Sequence, residues 1–229
     1  MKKFYYFLVI TMLSLSVNTA FAQCGISTTG SVQTLTVSGG TSSSQIALAH
    51  NPVKNVYYTL DGNYIRTHSG INGAVLGSYY FSTTMRGLWW NPGTSQLEGN
   101  AYNTGGIIKF TINSTTGHVS AGTVVFAGSH QPYYQSQGTF DDANNEILYF
   151  YGSLIYRYSR VTGLQIGTVS ISNMPSSYTL TNYNIVYTGC AGKEIGLYDR
   201  TNRKHLNMRL GCTNKISNAG NIECYYRYY

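Results

Sequence analysis

The sequence predicts an all-β fold organised as a single β-propeller. The main observation is a turn signal that follows one strand-like run and precedes another at five places in the chain. Its markers are Gly30, Gly70, Gly117, Gly163 and Asn202, which are 40, 47, 46 and 39 residues apart. A period of roughly 40–50 residues made of short strands and turns is typical of blades of four strands each. The composition agrees, because only 10% of residues are charged and tyrosine, which favours strands, occurs 22 times.

The first residues are predicted to be a secretory signal peptide. Lys2 and Lys3 precede a mostly apolar run over 4–17, and Ala20-Phe21-Ala22 has the small-residue pattern of a cleavage site. We therefore expect residues 1–22 to be removed after Ala22, which gives a secreted, periplasmic or cell-surface protein. No later run reaches the ~20 apolar residues needed to span a membrane.

Residues 23–229 are expected to form one propeller domain, since no proline-rich or charged linker divides them. The whole chain has a formal net charge of +7. Without Lys2 and Lys3, 13 basic residues face 8 acidic ones, and they form no long run. Export makes nucleic acid an improbable partner, so an acidic glycan or an anionic cell surface is the electrostatic alternative to simple solubility.

The clearest predicted blade spans 137–171. Its strands are expected near Gly138–Phe140, Ile147–Tyr151, Leu154–Ser159 and Gln165–Ile171. The other complete blades are expected at about 44–81, 86–126 and 177–210. Aromatic and β-branched residues in partial alternation are what sheets packed on both faces require.

Two terminal fragments complement each other. Residues 23–40 look like the second half of a blade, and residues 216–229 look like a first half. Joined, they predict a fifth blade that closes the ring, with residues near 222–228 pairing antiparallel to residues near 24–27. Closure of this kind removes exposed sheet edges.

The repeat has a recognisable order: a polar turn, a strand such as ILYFY at 147–151, a tight glycine turn, a strand such as LIYRYSR at 154–160, and a TG turn. This order resembles the NHL, YVTN and quinoprotein-like propeller repeats over nearly the whole mature chain. The resemblance implies the architecture but no particular activity, because such propellers include scaffolds, ligand binders, lyases and transferases.

Four cysteines lie in the mature chain of a predicted exported protein, so disulfides are expected. Four cysteines allow three connectivities. The blade assignment favours Cys24–Cys224, across the closing blade, and Cys190–Cys212, next to blade four. A lipid on Cys24 is the alternative at the N-terminus, although Gln23 stands where lipoprotein signals prefer a small residue.

The candidate ligand-binding residues are aromatic and polar side chains around the start of blades two and three. They are Arg86, Trp89, Trp90, His130, Tyr133, Tyr134 and Gln135. Aromatic rings beside amide groups suit sugar rings or peptide segments. Packing between blades is the competing explanation, and at most one residue of each adjacent aromatic pair should face the core because strand side chains alternate.

We find no sequence motif for catalysis, a metal ion or another cofactor, and we predict none. The five histidines are scattered, and Asp141-Asp142 is interpreted as a turn rather than as a calcium site. We expect a monomeric, non-catalytic module that binds an extracellular protein or glycan. The alternative is a small exported propeller enzyme similar to glutaminyl cyclases or streptogramin lyases.

Overall fold

The computed structural model of the chain describes residues 47–170 and four later strands. This described part contains strands and no helix, and the strands form four antiparallel four-stranded sheets. Sheet one contains β1 (Leu48–Asn51), β2 (Val56–Asp61), β3 (Tyr64–Ser69) and β4 (Val75–Tyr80). Sheet two contains β5 (Trp89–Asn91), β6 (Gln96–Asn100), β7 (Ile107–Ile112) and β8 (Val119–Phe126). Sheet three contains β9 (Gly138–Asp141), β10 (Glu146–Tyr151), β11 (Leu154–Ser159) and β12 (Gln165–Ser170). Sheet four contains β13 (Tyr183–Tyr187), β14 (Glu194–Asp199), β15 (Lys204–Arg209) and β16 (Tyr226–Arg227).

The strands of the first three predicted blades are confirmed, and each sheet follows chain order from its first to its fourth strand. The predicted tight turn at Gly152–Ser153 is also confirmed. Both of its residues have positive φ, +62° and +65°, which is the geometry of a two-residue hairpin turn. Glycine takes the first of these positions because it adopts positive φ without a steric penalty.

The turn between the third and fourth strands repeats with the same geometry in sheets one to three. Its glycine at positive φ is Gly73, Gly117 or Gly163, and in each turn that glycine donates its amide to the carbonyl of the residue four before it. Gly117 and Gly163 are therefore correct markers of the repeat. In sheet one the equivalent residue is Gly73 rather than the predicted Gly70.

Consecutive sheets pack against each other through three apolar clusters. The cluster between sheets one and two includes Tyr58, Leu97 and Phe110, all fully buried. A second cluster, which includes Trp89 and Tyr149, joins sheets two and three, and a third joins sheets three and four. The first strands of successive sheets adjoin one another in the order β1, β5, β9 and β13. Four sheets arranged in this way are consistent with blades.

An ion pair crosses the contact between sheets two and three. Glu98 on β6 is fully buried and receives two hydrogen bonds from Arg160, at 2.6 Å from Nε and 2.7 Å from Nη2. Trp89 Nε1 and Asn91 Nδ2 also donate to this carboxylate, each at 3.2 Å. The four donors satisfy a charge that would otherwise be costly to bury.

Sheet one contains a buried histidine. The Nδ1 of His68 lies 3.3 Å from the carbonyl oxygen of Gly73, which can only accept, so Nδ1 carries the proton. Nε2 then accepts from the Thr59 hydroxyl at 2.9 Å. Burial lowers the pKa of His68, and the charge of Arg66 adds to this, while the bond to Gly73 acts in the opposite direction.

The fourth sheet differs from its prediction by one strand. The sequence predicts the first two strands of blade four at 177–181 and 184–189, but β13, which overlaps the second of these, is the first strand of sheet four and contacts β9 of sheet three. The fourth strand is then supplied by β16, where Tyr226 pairs with Met208 and Arg227 with Asn207. Tyr226 and Arg227 therefore belong to sheet four, whereas the sequence predicted them in the first half of a closing blade. The outer edge of β15 needs a hydrogen-bonding partner, and β16 provides it.

Several predictions concern residues outside the described ones. These include the predicted signal peptide over 1–22, the N-terminal half-blade over 23–40 and the predicted first strand of blade four near 177–181. All four cysteines, Cys24, Cys190, Cys212 and Cys224, also lie outside the described residues. The two disulfides, a further blade that includes residues 23–40 and the closure into a ring stay predictions.

Candidate functional site

A cavity of about 590 Å³ lies where the first strands of the four sheets converge. Its apolar lining includes Leu48, Leu88, Trp90, Phe140 and Val186. Leu48 and Val186 are 56% and 51% exposed, and the Trp90 ring is half-buried. Large apolar side chains that stay exposed beside a concave surface are typical of a binding site.

The polar lining of the cavity comes from different sheets. His50 belongs to sheet one and stacks on Tyr57, with ring centroids 4.5 Å apart. Thr139 and Asp142 belong to sheet three. Tyr187 belongs to sheet four. Burial raises the pKa of its phenol, and the nearby Asp141 carboxylate raises it further. A few polar groups on a mainly apolar wall can orient a ligand.

The rim of the cavity is formed by the turns that follow β1, β5 and β9. In each turn the last strand residue is buried and its side-chain oxygen accepts from the backbone. Asn51 accepts from two amides, at 3.0 and 3.2 Å, Asn91 accepts from Thr94, and Asp141 accepts from Asn144. The interpretation of Asp141-Asp142 as a turn is confirmed. Pro52, Pro92 and Asp142 come directly after these residues and line the cavity.

Trp89 and Trp90 alternate as expected of neighbouring strand residues. Trp89 is only 4% exposed and packs between sheets two and three, where it donates to Glu98. Trp90 points to the other face of β5 and packs against the cluster between sheets one and two. Both line the cavity, but Trp89 is buried and Trp90 is half-buried.

Three other predicted residues lie just before the first strand of a sheet. Arg86 precedes β5, and Tyr133 and Tyr134 precede β9. Together with Tyr102, in the turn after β6, and Tyr151, at the end of β10, they form what we call the arginine–tyrosine cluster. Each member contacts the next one. The Arg86 guanidinium lies 4.8 Å from the ring centroid of Tyr102, and the ring centroids of Tyr102 and Tyr134 are 5.5 Å apart. The centroids of Tyr134 and Tyr133 are 4.1 Å apart, and Tyr133 stacks on Tyr151 with a centroid distance of 5.0 Å.

The structure therefore separates residues that the sequence analysis grouped. The two tryptophans are at the cavity, whereas Arg86, Tyr133 and Tyr134 are at the opposite end of the first strands. Gln135 is exposed beside the tyrosines. His130 contacts neither group, because its ring nitrogens face the carbonyl oxygens of Ala127 and Gly163 at 2.9 and 2.7 Å.

Several cavity residues were not anticipated, and one signal could have found them. The dipeptide Asn-Pro occurs at Asn51-Pro52 and again at Asn91-Pro92, 40 residues later, and Asp141-Asp142 takes the same place in the third repeat. A capping residue at a fixed position of each repeat marks the same turn. Tyr102 and Tyr151 gave no comparable signal.

The described part of the chain shows no group of three or more potential metal-binding side chains. Nor does that part contain a helix long and apolar enough to cross a membrane.

Comparisons with known proteins identify a fold but no family. No protein-family model matches the chain, and no curated protein matches it. The resemblance to NHL, YVTN and quinoprotein-like repeats therefore stays a prediction.

Among solved structures, the chain is similar to an auxiliary nutrient binding protein from Bacteroides ovatus ATCC 8483. The TM-score is 0.51 and the identity 12%, over 80% of this chain and 42% of that chain. A protein of the same description from Bacteroides thetaiotaomicron VPI-5482 gives 0.49 and 12%, over 80% and 41%. A protein of unknown function from Bacteroides caccae gives 0.44 and 10%, over 76% and 59%. This chain spans less than half the length of the first two. At such low identity, the first similarity shows a shared all-β fold.

Proposed function

We propose that this chain is a secreted or cell-surface β-propeller that binds a glycan in the cavity between its first strands, without catalysing a reaction. The observation that carries the proposal is the half-buried Trp90 ring on a mainly apolar cavity wall. The flat face of an indole offers a large contact area to the C–H face of a sugar ring, while nearby polar groups fix its orientation. The Bacteroides ovatus protein of similar fold, described as nutrient binding, is consistent with such a role.

The alternative is an exported enzyme, and it needs converging acidic or histidine residues in the cavity. The lining offers one carboxylate, Asp142, and one imidazole, His50, on different sheets. Glu98 lies behind Trp89 and is already bonded to Arg160, Trp89 and Asn91. A carboxylate committed to four donors is poorly suited to proton transfer, so the lining favours binding.

The test is a binding screen of the mature chain against neutral oligosaccharides built from glucose, mannose, galactose or xylose, with isothermal titration calorimetry as the measurement. Trp90→Ala should weaken binding of any hit by tenfold or more, which corresponds to at least about 1.4 kcal/mol. Trp89→Ala should instead lower the free energy of unfolding by ~3–5 kcal/mol, because Trp89 belongs to the core. Tyr64→Ala, at an exposed tyrosine away from the cavity, is the matched control and should change neither.

Two outcomes would overturn the proposal. One is the absence of binding to every oligosaccharide in the screen. The other is a folded Trp90→Ala variant that binds as tightly as the original chain. Export is tested separately: the mass of the N-terminal peptide of the exported protein should correspond to cleavage after Ala22, whereas a lipid on Cys24 would add the mass of its acyl chains.

A further inference from the structure

We propose that the arginine–tyrosine cluster is a second binding site, for a uronic acid unit of an acidic oligosaccharide. This site is separate from the cavity, since Arg86 and the tyrosines lie before β5 and β9 and the cavity rim follows them. It goes beyond the proposed function because it assigns a charged ligand class to a different surface of the molecule.

Arg86 carries a charge that no carboxylate balances among the described residues. Four arginines lie between residues 47 and 170. Arg66, Arg157 and Arg160 each form an ion pair with a carboxylate, at 2.8, 2.5 and 2.6 Å. Arg86 has no carboxylate partner among the described residues, and its buried Nε has no hydrogen-bond acceptor. The residue is only half-buried and has no anionic partner among the described residues, so an incoming carboxylate would gain a strong charge-assisted contact.

An exposed aromatic surface lies beside this cation. Tyr102 and Tyr134 are 38% and 41% exposed, and they meet edge to face. A uronic acid carries a carboxylate and an apolar ring face within one sugar unit. The Arg86 guanidinium lies over one face of the Tyr102 ring, and the exposed Tyr134 ring adjoins Tyr102, so a cation and an accessible aromatic ring are close enough to meet both features of one sugar unit. An acidic peptide lacks that combination, because its side-chain carboxylate sits on a flexible chain without a ring.

Buried hydrogen bonds anchor the loop that carries Tyr133 and Tyr134. The buried side chain of Gln131 donates to the carbonyl of Tyr134 at 3.2 Å and accepts from Asn100. The fully buried Asn100 also donates to the carbonyl of Ser136 at 2.8 Å and accepts from the amide of Gly138 at 2.9 Å. This network fixes a surface loop to sheet two before any ligand arrives. Preorganisation of this kind reduces the entropy lost on binding.

The experiment measures binding of the mature chain to trimers of galacturonic acid and of glucuronic acid by calorimetry. The neutral galactose and glucose trimers, in which CH₂OH replaces the carboxylate, are the matched ligands. At least one uronate trimer should bind tenfold or more tightly than its neutral counterpart. Arg86→Gln should remove that preference, and Tyr134→Ala should weaken uronate binding at least fivefold.

The control variant is Lys109→Gln, which removes one positive charge from an exposed position on β7 and should leave uronate affinity within twofold. Trp90→Ala should also leave it unchanged, so that failure of the cavity proposal and failure of this one are distinguishable. Tri-glutamate tests whether charge alone is sufficient.

The inference is overturned if neither uronate trimer is preferred over its neutral counterpart, or if tri-glutamate binds as tightly as the uronates. It is equally overturned if Lys109→Gln weakens binding as much as Arg86→Gln. Should Arg86→Gln not fold, as judged by circular dichroism, Tyr134→Ala decides, and unchanged affinity in that variant overturns the proposal.

Discussion

Replacing Glu98 by glutamine tests whether the ion pair with Arg160 holds sheets two and three together. The substitution keeps the shape of the side chain but removes its charge. A glutamine offers one acceptor oxygen and an NH₂ group to the four donors that now reach the carboxylate. At least one of these donors would then face another donor, and Arg160 would keep a charge that is only 15% exposed.

The expected loss is large because removal of one partner leaves the other charge buried and unpaired. Such changes lower the free energy of unfolding by ~3–5 kcal/mol. For a domain of this size each kcal/mol shifts the melting temperature by ~2–4 °C, so the melting temperature should fall by ~6–20 °C. The pair joins residues 62 positions apart and lies between two sheets, so the loss concerns the packing of the sheets.

Urea unfolding followed by tryptophan fluorescence and circular dichroism measures this loss. Glu146→Gln is the matched control, because its partner Arg157 lies on the neighbouring strand of the same sheet and is 39% exposed. Water can replace that partner, so Glu146→Gln should lower the free energy of unfolding by about 1 kcal/mol. In addition, the double variant with Arg160→Gln should lose less than the sum of the two single variants, by at least about 1 kcal/mol. A loss below 1 kcal/mol for Glu98→Gln, or one equal to that of Glu146→Gln, would refute the reasoning.

Three further perturbations concern other buried or constrained residues. As the pH falls below about 6.5, the chain should lose stability through His68, because the unfolded imidazole takes up a proton there while the buried one, with its lowered pKa, resists it. Urea unfolding at pH 7 and pH 5 should show a smaller pH dependence in His68→Gln than in the original chain. Gly106→Ala should lower the free energy of unfolding by over ~2 kcal/mol in a thermal melt, because its φ is +81° and a Cβ would collide with a backbone carbonyl at the end of β8. Gly62→Ala, at φ +60° in open space, should lower it by only about 1 kcal/mol. Asn100→Ala should lower the free energy of unfolding by ~2–4 kcal/mol. It should also speed hydrogen exchange at the amide of Gly138, the first residue of β9, because that amide loses its acceptor.

Each of these expectations has a contrary outcome. Equal pH dependence in His68→Gln and the original chain would show that another group controls acid stability. Equal melting temperatures for Gly106→Ala and Gly62→Ala would mean that the backbone relaxes around the added methyl group. Unchanged exchange after Asn100→Ala would show that β9 is held by its sheet alone.

Local sequence was sufficient for the strands of sheets one to three, because each is bounded by turns with specific residues. The hairpin at Gly152–Ser153 and the turns at Gly117 and Gly163 depend on backbone geometry that few residue types adopt. The fourth sheet was shifted by one strand for a physical reason. A first strand and a second strand have the same apolar composition, and only their partners in other sheets distinguish them. The contact of β13 with β9, far apart in sequence, cannot be derived from residues 183–187 alone.

The candidate site was predicted in part. Strand alternation was sufficient to expect different roles for Trp89 and Trp90, and the structure confirms that they face opposite sides of β5. Arg86 could not be assigned to the far end of β5 from sequence, because that assignment depends on the direction in which β5 runs relative to the cavity. The bond between Asn100 and Gln131 joins residues 31 positions apart and is carried by amide side chains, which have no periodic pattern.

The capped turns at the cavity rim separate the residues that maintain the turn from those that a ligand would meet. Asn51, Asn91 and Asp141 are buried and hold the backbone, while the four residues after each of them, 52–55, 92–95 and 142–145, are exposed. Three loops of equal length thus present different side chains on the same frame, as the hypervariable loops of a binding scaffold do. Substitutions within the first three positions of each loop can change what is recognised with little effect on folding, provided that the cap and the residue at positive φ, Asn55, Ser95 or Asn145, are retained. The rim is therefore a natural place to diversify in a library of engineered binders.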